Sequence, residues 1–404
     1  MTRTCLISLF HPGNVLAAMT AVKWFGHLKY GKEDANLIVL IHVPGLSENN
    51  LNEIKEVIDR IIAIKGIVKS IIITDDDLKA AKSIHPWKRF SAALNKFKDI
   101  VGTGDVDEVY YAHDIVGNIA ELAMNSFPHA QHISFGDALG SIYNKEFHLA
   151  LASGNTIDKK NIFLKFLKKI INHSKERVVK IICGGPVHFQ ATKAVLILPI
   201  DQTGNCLDEM ELHIVPKDFV RTLLEECASS TTDLNTYCQD LISNNNQSKY
   251  LLLLDNFSDG NFISFENEVN LYTDIINHYV PQGSFVMIKP HPLSVKPVAD
   301  ALCKNIESDY DTVIIKKEFS KYPIELWVNL ISSCNVISFS YPSISLSYLY
   351  GKNVMYLLNP DIIERYFPEK FHASFKNADE VYRGQLNNLA TWDGKGVLWS
   401  GRNV

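Results

Sequence analysis

The sequence predicts an α/β protein made of two doubly wound, parallel-sheet domains. Short apolar runs alternate with helical patterns through both halves of a 404-residue chain, the order expected when helices cover a parallel sheet. The runs are apolar nearly throughout, as strands buried on both faces are. A chain of this length exceeds one ordinary core. The polar, unpatterned stretch Ser243-Asn244-Asn245-Asn246-Gln247-Ser248 separates the two alternations as a linker. The expected domains are residues 1–243 and 249–404.

In the first half, strands are expected at Cys5–Phe10, Leu37–Val43, Val68–Thr74, Val109–Ala112 and His132–Phe135. Helical patterns fill Asn14–Phe25, Asn50–Ile64, Trp87–Ile100 and Gly117–Ser126. In the second of these, Leu51, Ile54, Val57, Ile58, Ile61 and Ile62 form one face at helical spacing. The middle is less regular. Lys193–Ile200 is a strong strand, Asp201-Gln202-Thr203-Gly204-Asn205 a turn, and Glu211–Val215 its partner strand. Helices follow at Asp218–Cys227 and Asp233–Ser243. The second half places strands at Tyr250–Leu254, Phe285–Lys289, Thr312–Ile315, Val336–Ser340 and Val354–Leu358. Its helices fit Glu266–His278, Val295–Asn305, Ile324–Ser332 and Ser343–Tyr350. Two Rossmann-like domains of this kind place a cleft between the carboxyl ends of their sheets. Many sugar transferases share that arrangement, although a fold alone assigns no function.

Composition narrows the classes. The chain is 46% hydrophobic and 21% charged, a globular balance, with a net charge of −5. Phosphate-backbone binding needs a basic excess, so nucleic acid is not expected as a partner. No apolar run approaches the roughly 18 residues of a membrane span. The N-terminal run Cys5–Phe10 is broken by His11-Pro12-Gly13 and reads as a first strand, not a signal peptide. Seven scattered cysteines show no metal-ligand or redox spacing, which suits a reducing, cytoplasmic compartment.

Candidate chemistry gathers at strand ends. Phe285–Lys289 runs into Lys289-Pro290-His291-Pro292. Each proline fixes its own φ and extends the residue before it, so Lys289 and His291 sit on a stiff tip suited to a phosphate. The structural alternative is a rigid turn with an exposed histidine. After Val336–Ser340 come Tyr341-Pro342-Ser343-Ile344-Ser345. Ser340 or Ser343 can cap the helix that Gly351 closes, and free N–H groups at a helix start bind phosphate. These serines could equally only cap and fill. In Tyr322-Pro323-Ile324-Glu325, the acid near a helix start could accept two ribose hydroxyls or simply compensate the helix dipole. Asp137, between Gly136 and Ala138 after the strand His132–Phe135, is placed as a general base or as an Asx turn. Asp75-Asp76-Asp77 has the spacing of a metal-binding Asp-x-Asp, but also the position of a capped first helical turn. The segment 159–180 carries eight Lys/Arg around an apolar stripe of Ile162, Phe163, Phe166, Leu167, Ile170 and Ile171. It could lie on an anionic membrane face or pack on its own domain.

Taken together these stretches resemble bacterial sialyltransferases of the GT-B fold. Ile288-Lys289-Pro290-His291-Pro292 looks like their His-Pro motif and Ser340–Ser345 like their serine motif. Tyr322-Pro323-Ile324-Glu325 matches a Pro-x-Glu stretch between the two, and Phe135–Gly140 the acid motif of the N-terminal domain. Lys193–Pro199 with Asp201, and Asp255-Asn256-Phe257, are similar to the bacterial polysialyltransferase-like family. One departure stands out. The first acid of the family's pair is Gly136 here and the following Gly is Ala138, while Asp137 aligns with the second acid, the family's base. The departure bears on acceptor geometry.

The resemblance implies an inverting, metal-independent transfer from CMP-sialic acid to a glycan acceptor, without a cofactor. Asp137 would be the base and His291 the acid. Lys289, Pro292, Glu325, Ser340, Ser343, Ser345 and Asn256 would line the donor side; His11 and Asn14 would line the acceptor side. It implies a bacterial enzyme of capsule or lipooligosaccharide assembly, cytoplasmic or peripheral on the inner membrane face. Alternatives keep the mechanism and change the sugar to pseudaminic acid, legionaminic acid or Kdo, or replace catalysis by a non-catalytic nucleotide- or polysaccharide-binding subunit of a capsule complex. A metal-dependent transferase using Asp75–Asp77 is a further enzyme class.

Overall fold

The apolar runs assemble into two separate sheets in which every strand is parallel to its neighbours. The computed structural model describes residues 3–9, 12–31, 35–43, 46–62, 68–74, 76–77, 89–112, 118–136, 193–199, 211–243, 247–340 and 342–391. Asp137, His11, Asp75 and the segment 159–180 therefore lie outside the described residues.

The first sheet has seven strands: β1 (Arg3–Leu9), β2 (Ala35–Ile41), β3 (Val68–Ile72), β4 (Glu108–Ala112), β5 (Gln131–Phe135), β6 (Lys193–Leu196) and β7 (Glu211–Ile214). Their spatial order is β3-β2-β1-β4-β5-β6-β7. The chain starts in the centre, builds outward to β3, then returns to the other side of β1. This reversal between β1 and β4 is the topological switch point, where ligands of such sheets bind outside the strand ends. β6 and β7 do pair, but in parallel, with Lys193 opposite Glu211. The tight hairpin expected around residues 201–205 would have made them antiparallel; a parallel pair needs a crossover.

Helices α1 (Asn14–Tyr30), α2 (Glu48–Ile62), α3 (Arg89–Val101) and α4 (Asn118–Ser126) flank this sheet. α1 is buried on nearly all sides for its first thirteen residues and ends at Gly31, whose φ of 61° is left-handed. One core layer joins Leu6, Leu40, Val109 and Tyr111 of the sheet to Phe97 and Val101 of α3 and Ala123 and Met124 of α4. A buried ion pair ties the amino end of β1 to that of β4. Arg3 Nη1 lies 2.5 Å from Glu108 Oε2, which also accepts the Tyr110 hydroxyl at 2.8 Å.

The second sheet has the order β10-β9-β8-β11-β12. Its strands are β8 (Lys249–Leu253), β9 (Phe285–Lys289), β10 (Asp311–Ile314), β11 (Asn335–Ser338) and β12 (Met355–Tyr356). Its switch point lies between β8 and β11. The helices of this unit are α5 (Lys217–Ser230), α6 (Thr232–Ser243), α7 (Phe265–Tyr279), α8 (Val298–Ile306), α9 (Val328–Ser333), α10 (Pro342–Tyr350), α11 (Pro360–Tyr366) and α12 (Glu369–Thr391).

The compact units divide ahead of Val215, not at the polar stretch 243–248. α5 and α6 each carry an apolar face that needs cover, and they find it in the second unit. Tyr237 of α6 stacks on Phe319 at 4.3 Å and meets Trp327 edge-on, while its hydroxyl accepts the Lys316 N–H at 3.3 Å. The expected helix Ile324–Ser332 is split, because buried Trp327 leaves helical geometry between a 3-10 turn at Ile324–Leu326 and α9. The helix expected from Val295 starts only after Pro297. α11 and α12 were not anticipated by periodicity. Asn359 caps α11 by accepting the Ile362 N–H at 2.9 Å. Phe367, Phe371 and Phe375 then close an aromatic cluster over Phe257 and Phe262. Among the described residues no helix is long and apolar enough to cross a membrane.

Candidate functional site

Four of the predicted stretches meet at the carboxyl ends of the second sheet. β8, β9 and β11 deliver Asp255-Asn256, Lys289–Pro292 and Ser340 to the same edge, because the three strands are parallel and adjacent. The ladder runs one step past β8, with the Leu254 N–H donating to the Lys289 carbonyl at 3.0 Å.

The β9 end splits its two predicted residues. Lys289 is buried, 5% exposed, and turns inward. Its Nζ donates to the Ser320 carbonyl at 2.5 Å and lies 5.7 Å from the centre of the Trp327 ring. Burial pulls its pKa down to about 7, against the attraction of Glu325. Glu325 is buried as well, and burial raises its pKa. Its Oε1 accepts the Ser345 hydroxyl at 2.7 Å, and its carbonyl accepts the Tyr350 hydroxyl at 2.6 Å. Lys289 Nζ is thus held by the Ser320 carbonyl, and Glu325 holds the Ser345 hydroxyl of α10. Both side chains, expected on the donor side, are buried and hydrogen-bonded within the fold. Burying a polar group is costly unless it is hydrogen-bonded.

His291 takes the other direction. It is half-buried, and its Nδ1 accepts the Leu293 N–H at 3.2 Å while its carbonyl accepts the Ser294 N–H at 2.9 Å. An accepting Nδ1 leaves the ring hydrogen on Nε2 in the neutral imidazole. Pro292 beside it is half-buried.

At the head of α10, among the described residues, neither the Ser340 nor the Ser343 hydroxyl accepts a helix N–H as a cap; both donate. Ser343 N–H and Oγ both donate to the Ser340 carbonyl, at 3.0 and 2.8 Å. Ser343 and Ser345 are fully buried, so their hydroxyls are used inside the fold. α10 closes as expected at Gly351, φ 64°, whose N–H returns to the Ser347 carbonyl at 3.0 Å. Ser340 Oγ donates to Asp255 Oδ1 at 2.7 Å, joining the two strands that flank the switch point.

Asn256 opens the loop after β8. It is half-buried, and its carbonyl accepts the Gly260 N–H at 2.9 Å. Two acids that sequence reasoning passed over hold this loop. Glu268, fully buried on α7, accepts the N–H groups of Phe257 and Ser258 at 3.2 and 2.9 Å. Asp259 accepts those of Val295 and Lys296, at 2.8 and 3.3 Å, and so pins the loop after β8 to the loop after β9. The signal for Asp255 was present, an acid directly behind an apolar strand. Glu268 gave none, since an acid in a first helical turn reads as dipole compensation.

In the first unit β5 ends at Phe135, and buried Gly136 follows at its carboxyl end. Asn14, the first residue of α1, is 1% exposed. Of the Asp75–Asp77 stretch, Asp77 forms a cap with Thr74. Thr74 N–H donates to Asp77 Oδ2 at 2.9 Å, and the Asp77 N–H donates to Thr74 Oγ1 at 3.1 Å. That reciprocal pair is a capping box and holds the Asp77 carboxyl below its ordinary range.

Two doubly wound parallel sheets are the architecture of the GT-B glycosyltransferases, and a family match makes this chain one of them. Residues 77–350 match the family Alpha-2,8-polysialyltransferase (POLYST), more than half of the chain, and the protein belongs to that family. No curated protein matches the chain. Similar solved structures include a UDP-GlcNAc 2-epimerase from Neisseria meningitidis, with 12% identity, 98% of this chain and 96% of that chain covered, and a TM-score of 0.48. A 2,6-sialyltransferase from a Vibrionaceae Photobacterium is similar at 11% identity, over 85% of this chain and 69% of that one, with a TM-score of 0.44. The GT-B domain of a sialyltransferase from Photobacterium damselae is similar at 10% identity, over 95% and 97%, also with a TM-score of 0.44.

Proposed function

We propose that this enzyme moves a sialic acid from its CMP-activated form to a glycan hydroxyl, with inversion and without a metal, in the assembly of a bacterial surface polysaccharide. The observation that supports this reading is the gathering of His291, Asn256 and the Ser340-headed helix at the switch point between β8 and β11.

The chemistry follows from charge. The bond from the sugar to CMP breaks through an oxocarbenium-like state, and negative charge grows on the departing phosphate. Electrostatic stabilisation of that charge is often the largest catalytic contribution. The free N–H groups at the start of α10 and the Nε2–H of His291 supply it in this reading, and His291 can pass its proton to the leaving group. Asp137 takes the proton of the acceptor hydroxyl. Lys289, held by the Ser320 carbonyl, and Glu325, held by the Ser345 hydroxyl of α10, enter as buried supports of the donor side. Transfer on the cytoplasmic side of the membrane, with the basic segment 159–180 as a peripheral contact, completes the proposal.

The test is incubation with CMP-activated sialic, pseudaminic and legionaminic acids and Kdo, with and without glycan acceptors and EDTA, following CMP release. Acceptor-dependent release from the sialic acid donor that persists in EDTA is the expected result. Release from another sugar alone would change the donor; loss of release in EDTA would overturn the metal-free mechanism.

A further inference from the structure

Asp255 stands directly behind β8, at the reversal point of the second sheet, and the mechanism above does not use it. Its surroundings are unusual for a carboxylate. Oδ1 accepts the Ser340 hydroxyl at 2.7 Å, and the residue's own N–H donates to the Tyr272 hydroxyl at 2.9 Å. Oδ2 is buried and has no hydrogen-bond partner among the described residues. The Tyr356 hydroxyl on the neighbouring strand β12 is buried and unpartnered in the same way.

The groups that face Asp255 do not neutralise it. From α7 come Glu268 and Tyr272, from β12 Tyr356, and from beyond β11 the Ser340 hydroxyl. At the end of β9, the Lys289 ammonium donates to the Ser320 carbonyl. Behind Tyr356, Arg383 of α12 pairs with Asp379 at 2.8 Å. Burial, with repulsion from Glu268, pushes the Asp255 carboxyl up to about 7 although the Ser340 hydrogen bond favours the charged form. The acid is therefore poised between its two forms near neutral pH. Ionised, it would repel a phosphate. Neutral, it offers one O–H donor, and Oδ2 is the oxygen left to carry it.

We propose that Asp255 is a donor-site residue that meets the CMP phosphate as a neutral carboxylic acid, donating from Oδ2, so that nucleotide binding draws one proton from solvent. The proposal rests on the CMP-donor reading. An anion brought beside an acid raises the acid's pKa further, and linkage then requires that binding take up the proton and that CMP release return it. The Ser340 hydrogen bond aims the carboxyl, since it fixes Oδ1 and leaves Oδ2 as the unpartnered oxygen.

The experiment is calorimetric titration of the full chain with cytidine 5′-monophosphate, in buffers of different ionisation enthalpy, for the wild type and Asp255→Asn. The titrations of the nucleotide's own phosphate and of His291 are common to both proteins and cancel in the difference. The wild type is expected to take up more protons than the variant at about pH 7.5, and its affinity to fall more steeply as pH rises from about 6 to about 8.5, approaching an extra tenfold per unit. Asparagine keeps a donor at that position, so Asp255→Asn should bind at the upper end of this range at least as tightly as the wild type. Equal proton uptake by the two proteins would overturn the role of Asp255 and leave the donor reading standing. A folded wild type that binds no CMP at any pH would overturn both. If Asp255→Asn fails to fold, Ser340→Ala serves. Losing the hydrogen bond that favours the charged form should move the pH dependence of CMP affinity upward, and an unmoved profile would overturn the proposal.

Discussion

Lys289 and His291 are two residues apart, yet they do different work. Lys289 ends the buried strand and its side chain turns into the fold; His291 follows a proline and turns with the loop. In the proposed mechanism the His291 ring meets the leaving phosphate, so His291→Ala should weaken CMP binding and slow transfer together; equilibrium binding and initial rates check this. The same mechanism has Asp137 act only on the acceptor, so Asp137→Ala should leave CMP affinity nearly unchanged and abolish transfer. Wild-type rates in that variant would remove Asp137 from the mechanism. Glu325→Ala strips the acceptor from the buried Ser345 hydroxyl. Leaving a buried donor unsatisfied costs about 1–3 kcal/mol, so urea unfolding should report a loss of that order.

At the scale of the element, the site is a set of strand ends made rigid by backbone hydrogen bonds to buried acids. Glu268 and Asp259 each take two N–H groups from loops that would otherwise be free to open. Hydrogen bonds to charged groups contribute about 1.5–3 kcal/mol each, enough to hold a binding loop in one form. Gly260 belongs to the same arrangement, since a Cβ there would meet the Phe262 ring at 2.6 Å. α10 depends on its two ends. Its head is closed by Ser340 and Ser343, its tail by Gly351 at a φ of 64°. A Cβ at Gly351 meets nothing within 4 Å, so Gly351→Ala tests the backbone alone. It should cost about 1 kcal/mol, read as a lower denaturation midpoint with an unchanged slope. The expected helix at Ile324–Ser332 is split because Trp327, with Tyr237 and Phe319, belongs to an aromatic cluster whose partners are far away in sequence.

At the scale of the whole molecule, two parallel sheets each present a switch point, between β1 and β4 and between β8 and β11. The second carries His291, Asn256 and Ser340, the residues of the proposed donor site. The first carries Gly136 at the end of β5 and Asn14 at the head of α1, which follows the central strand. The net charge of −5 makes a general attraction to anionic surfaces weak. Any membrane contact must then be local, through residues 159–180. The chain should co-sediment with anionic vesicles at low salt and detach at high salt, where exposed charges are screened. Failure to bind at low salt would leave only packing of that segment on its own domain.

The sequence by itself determined the two alternations of strand and helix, the strand ends on which chemistry sits, and the glycine that closes α10. These are local signals. A buried strand is written as an apolar run, a helix as a 3.6-residue period, and a cap as one residue type at one position. Tertiary structure alone decided that Lys289 turns to the Ser320 carbonyl instead of solvent, that β6 and β7 run in parallel, and that α5 and α6 belong to the second unit. It also decided that Asp255 meets Ser340, eighty-five residues further along. Strand order places β8 beside β11, and no periodicity within either segment records which strand will be its neighbour. The physical reason is that burial can be read from a segment's own composition, whereas the partner that shares the burial is chosen by how the whole chain crosses its sheet.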